Sequence, residues 1–134
     1  MNYVKLYLGM LVVFFAVDIA WIGFIAKDFY RKQIGHLFAE TPVWAAAILF
    51  YLLFVLGVMV FVVLPGLESG NVKATLLKAA FFGLVTYATY DLTNQALVKD
   101  WPVIMTVVDM TWGMVLSTAI GFAGLMLGRW IMPA

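Results

Sequence analysis

Four apolar runs, residues 6–26, 43–64, 74–97 and 103–127, occupy most of this chain. Each approaches or exceeds the roughly 20 residues a helix needs to cross about 30 Å of hydrocarbon. Only 11% of the 134 residues are charged and mean hydropathy is +1.05, so these runs are the body of the protein and not the core of a soluble one. A membrane β-barrel would need strands of about ten residues alternating polar and apolar side chains, and residues 48–64 do not alternate. The expected fold is all-α: a polytopic membrane protein forming one domain, a four-transmembrane-helix bundle with both termini on one side. The first run is too long for a signal core of about 7–15 residues, carries Asp18, and lacks a small-x-small cleavage site, so it is expected to persist as a helix.

The connections follow from local chemistry. Residues 27–41 form the long one; Phe29, Tyr30, Ile34, Leu37 and Phe38 recur there at helical spacing among charges, which predicts a short interfacial helix between helices 1 and 2. Thr41-Pro42 is expected to start the second helix, with threonine as N-cap and proline at its first position. Asn71 is expected to cap the third, and Asp100-Trp101-Pro102 to introduce the fourth after a tight hairpin. Pro65-Gly66 and Gly70-Asn71 read as turns. Let side A hold the termini and the second connection, and side B the other two. Lys5, Lys73, Lys78 and Arg129 fall on side A against Lys27, Arg31, Lys32 and Lys99 on side B, a tie under the positive-inside rule. The terminal amine tips the count toward cytoplasmic termini.

Three acids interrupt the runs: Asp18, Asp91 and Asp109. On insertion scales each costs about 2.5–3.5 kcal/mol at mid-membrane, so a protein interior must shelter them. Counted from the side B helix ends, Asp18 lies roughly 12 Å deep and the other two roughly 9 Å, which places all three at one level. Two share a local pattern, Val17-Asp18-Ile19-Ala20-Trp21 and Val108-Asp109-Met110-Thr111-Trp112. Asp109 is in line with Gly113, Ser117 and Gly121, the small residues that let helices approach, so it should face protein. Tyr87, Asp91 and Asn94 share a face of the third helix, and Tyr90 is four residues before Asn94. Trp21 and Trp112 follow their acids on the same stripes, displaced in opposite directions, and are expected to wall a pocket above and below. Three carboxylates close together in low dielectric cannot all be ionised cheaply, and no lysine or arginine lies at that depth. A bound cation, a cationic ligand or a shared proton must supply the balance.

Blander readings apply to the remaining polar residues. Thr86, Thr89 and Thr93 can line a polar path or bond their own backbone. His36 reads as a solvated loop residue more readily than as a ligand, and no paired metal-ligand spacing occurs, so no metal site is expected. Gly113, Ser117, Gly121 and Gly124-x-x-x-Gly128 suit either packing within the bundle or a homo-oligomer seam. Lys27, Arg31 and Lys32 suit solvation or anionic headgroups. No cysteine is present, no phosphate-binding glycine loop or cofactor fingerprint is recognisable, and a net charge of +1 suggests no nucleic-acid partner.

The residues Asp18-Ile19-Ala20-Trp21, Lys27-Asp28-Phe29-Tyr30, Tyr90-Asp91-Leu92-Thr93-Asn94 and Val108-Asp109-Met110-Thr111-Trp112-Gly113 carry a resemblance to the bacterial four-helix membrane proteins designated domain of unknown function 2177. That resemblance spans essentially the whole chain. It implies an inner-membrane location, assigns no established activity, and tilts the ligand toward lipid. The expected function is an intramembrane pocket of Asp18, Trp21, Tyr87, Tyr90, Asp91, Asn94, Asp109 and Trp112. It would bind a hydrophobic small molecule or lipid with a polar head, entering from the bilayer. In an enzymatic version of lipid modification, Asp91 and Asp109 would serve as an acid/base pair. Proton or small-cation transport and a structural accessory subunit are the alternatives.

Overall fold

The computed structural model describes residues 2–132 as an all-α protein. The terminal amine counted above lies outside them. Helix α1 runs over Asn2–Ile25, α2 over Lys27–Ile34, α3 over Trp44–Ser69, α4 over Val72–Leu97 and α5 over Val103–Ile131. Three of these, α1, α3 and α5, are long and apolar enough to cross a membrane. Helix α4 has 26 residues, but its second half carries the polar segment 86–95.

Helix α4 packs most extensively on α5, and α1 and α3 close over that pair. Glycine makes the α4–α5 approach possible: a Cβ on Gly83 would run into the carbonyl oxygen of Gly113, and one on Gly113 into the ring of Tyr87. Further along α5, Gly124 receives Val63 and Met10, and Gly128 receives Leu67. These α5 glycines thus meet α3 and α1 of their own chain, which is the intrachain one of the two expected uses. Leu6, Met10, Phe14, Val55, Val58, Leu116 and Ile120 fill the half of the bundle away from the hairpin, all fully buried.

Both helix-to-helix connections around α4 are pinned by side chains. Asn71 caps α4 as expected, its Oδ1 accepting from the Ala74 amide at 3.0 Å, after Gly70 turns the chain at φ 71°. In the hairpin, Gln95 donates to the Trp101 carbonyl at 2.9 Å, Trp101 Nε1 donates to Thr106 at 3.1 Å, and Thr106 donates back to Gln95 at 2.7 Å. That closed ring satisfies the polar groups beneath the loop, where Asp100 takes a left-handed φ of 61°.

Several boundaries differ from the sequence reading. Helix α3 begins at Trp44 without a side-chain cap, because residues 38–43 are spent as a connection from α2; Thr41 and Pro42 do not start it. It also does not end at 64. Pro65-Gly66 lies inside the helix, preceded by a π-helical turn at Met59–Val63 in which Leu64 N–H reaches back to the Met59 carbonyl. A proline removes one helical donor and crowds the carbonyl four residues earlier. The widened turn just before Pro65 is a place where that mismatch can be accommodated. Helix α5 extends past 127 to Ile131.

Candidate functional site

A second π-helical turn, Trp21–Ile25, ends α1, with the Ala26 amide donating to the Trp21 carbonyl at 2.7 Å. Ala26 breaks the helix and α2 starts at once, so α2 folds back over the end of α5. Its residues Phe29, Tyr30 and Ile34 pack with Trp101, Met105 and Val98. Beneath it lies a cavity of about 540 Å³ whose wall includes Asp18, Trp21, Tyr30, Tyr87, Tyr90, Asp109 and Trp112. That volume falls within the usual range for small-molecule pockets, roughly 300–1,000 Å³.

Of the residues expected in a shared pocket, six line this cavity: Asp18, Trp21, Tyr87, Tyr90, Asp109 and Trp112. Asp91 stands one layer behind. It is fully buried, and the polar group at its side is the Asp109 carboxyl. No hydroxyl or amide donor reaches either of its oxygens. Asp109 stands in front of it, on the cavity wall. Asn94 is off the wall, beside the Tyr90 hydroxyl.

The tryptophans correct the expected geometry. They do not wall the pocket above and below but stack face to face, with centroids 4.3 Å apart and planes within 6°. Helices α1 and α5 are antiparallel, Met10 meeting Gly124 at one end and Trp21 meeting Trp112 at the other. The two Asp-x-x-Trp units are therefore crossed. Trp112 Nε1 faces Asp18 without completing a hydrogen bond. Trp21 Nε1 donates to the Tyr30 hydroxyl at 2.8 Å, and that hydroxyl donates to Asp109 Oδ1 at 2.8 Å. Each indole thus addresses the acid of the other helix.

Tyr30 is the main residue that sequence reasoning missed. Burial, then the adjacent Asp109 carboxylate, hold its hydroxyl well above the usual tyrosine range, so it stays protonated and donates to the acid. A signal existed: Tyr30, Ile34 and Phe38, four residues apart, form one face of the predicted short helix, and all three line the cavity. Phe50 and Tyr51 of α3 also line it, and nothing in their uniformly apolar run distinguishes them. The threonines take the bland reading: Thr86, Thr89 and Thr93 each donate to a carbonyl four residues back, though Thr86 also touches the cavity. His36 is exposed and off the wall, and no group of three metal-ligating side chains occurs among the described residues.

The isolation of Asp91 leads to a stability prediction. Replacing an uncompensated buried acid by an apolar residue of similar size removes its desolvation cost, so Asp91→Leu should be neutral or stabilising by about 1–3 kcal/mol. Thermal unfolding in detergent measures this. A clear loss of stability would mean that the Asp91–Asp109 contact holds the helices together.

No curated protein and no solved structure matches the chain. A family model described as "Predicted membrane protein (DUF2177)" matches residues 3–126, and the chain belongs to that family.

Proposed function

We propose that this multi-pass membrane protein is a single four-crossing bundle that takes a hydrophobic small molecule or lipid with a polar head into the cavity under α2. The observation that carries the reading is the placement of Asp18 and Asp109, each more than nine-tenths buried, on the wall of a cavity otherwise built from rings and aliphatic side chains. Intramembrane acids facing a cavity mark ligand pathways by default. In this reading α4 is the fourth crossing, its polar segment shielded by α5 and the cavity, and α2 lies in the interface. The termini lie on the cytoplasmic side of a bacterial inner membrane.

Dead-end geometry favours binding over conduction. Past the cavity the bundle is filled by Phe14, Val55, Val58, Leu116 and Ile120, all fully buried, with no acid to continue a proton or cation path. Should the site be catalytic, Asp91 and Asp109 would serve as the acid and base, Asp109 being the member in contact with the cavity.

The test is retention of hydrophobic material through purification, read by mass spectrometry of an organic extract. Wild-type protein should carry a stoichiometric molecule, and Asp18→Asn with Asp109→Asn should lose at least about tenfold of it, as expected when charge-assisted bonds are removed. Helicity should be unchanged. Equal retention by the folded double variant would refute the pocket.

A further inference from the structure

Taking the cavity as a binding site, we propose that its ligand is an amphiphile with a positively charged amine head, held by Asp18 and Asp109 inside an aromatic cage. Charge counting comes first. The cavity wall carries two carboxyl groups, Asp18 and Asp109, and among the described residues no lysine, arginine or histidine lies on it. Asp18 in particular is only 8% exposed, opens onto the cavity, and faces Trp112 Nε1, which is itself left without a hydrogen-bond partner. Asp109 has one oxygen engaged by Tyr30. A carboxylate left with free lone pairs in an apolar chamber is an acceptor awaiting a donor, and an ammonium brings both the N–H groups and the missing charge.

The rest of the wall selects among cations. Tyr30, Tyr51, Tyr87 and Tyr90 surround the acids together with the stacked Trp21–Trp112 pair. Aromatic faces attract organic cations through the ring quadrupole, and such cages are the usual receptor for amine heads. A hard metal ion would instead require about six oxygen ligands, and no cluster of metal-ligating side chains exists among the described residues. Away from the acids the wall turns to Ile22, Ile34, Phe38, Phe50 and Met105, a lining for a hydrocarbon tail and not for hydrated ions.

Octylamine, octanol and octanoate share one tail and differ in the head, so their binding to full-length protein in nonionic micelles, followed by tryptophan fluorescence, isolates the choice. Octylamine, protonated at neutral pH, should bind about tenfold or more tighter than octanol, and octanoate weakest, since charge-assisted bonds are about twice as strong as neutral ones. Asp18→Asn should erase the preference, while Asp18→Glu, which keeps the charge, should preserve it and guards against misfolding of the first variant. If octanol binds as tightly as octylamine, the amine head is refuted and the pocket stands. If none of the three perturbs the tryptophans, the pocket reading falls with it.

Discussion

Gly83→Ala should unfold this protein far more readily than any other single methyl addition to α4. The added carbon would sit within the carbonyl of Gly113 and 2.6 Å from Ser117 Oγ, and because a backbone group cannot swing away, α4 and α5 must separate along their length. In lipid no hydrophobic force pushes helices back together, so close packing is the main attraction that would be lost. Overpacking of this kind costs about 3 kcal/mol, which outweighs the gain of about 1 kcal/mol that alanine brings to helix propensity. Gly23→Ala is the control, its nearest side chain being Ile19 at 4.0 Å, and it should stay within about 1 kcal/mol of wild type. Denaturant titration in mixed micelles compares the two; equal midpoints would show that α4 and α5 are not held at this distance.

Removing one oxygen from Tyr30 should release α2 from the bundle. In Tyr30→Phe, Trp21 Nε1 loses its acceptor and Asp109 Oδ1 its donor, two groups in part-buried hydrogen bonds at once. Each costs about 1–3 kcal/mol when left unpaired. The remaining attachment of α2 is the packing of Phe29, Ile34 and the ring itself against Trp101 and Met105. Amide hydrogen exchange across residues 27–38 should accelerate at least about tenfold while α5 is unchanged. Tyr3→Phe, at an exposed tyrosine, should do nothing. Unaltered exchange in Tyr30→Phe would mean that apolar packing alone docks α2.

The long helices were legible because hydrocarbon demands length and apolarity, and that demand is written in composition residue by residue. Asp18 and Asp109 stood out for the same reason inverted: an acid in such a run has to be explained. Tyr30 did not, since a tyrosine in an amphipathic connection is unremarkable until the chain brings Asp109 beneath it. The stacking of Trp21 on Trp112 was hidden for a different reason. Regular helical geometry displaces the two rings in opposite directions, and the π-helical turn that begins at Trp21 departs from that regularity. Pro65 inside α3 failed in the same way, a widened turn accompanying what the rule for proline forbids.

The crossed tryptophans also bear on how the protein is made. Asp18 enters the membrane with α1, but Trp112, the indole that faces it, and Asp109, its companion on the cavity wall, arrive only with α5. During synthesis the first helix therefore waits, its acid without these partners, until α5 has been threaded. A ribosome-stalled chain ending at Leu97 should leave Asp18 open to carboxyl-reactive reagents that the finished protein excludes. The cavity wall closes only when α5 brings in Met105, Asp109 and Trp112, so a chain interrupted before α5 offers one of the two wall acids and neither the second acid nor the stacked indole.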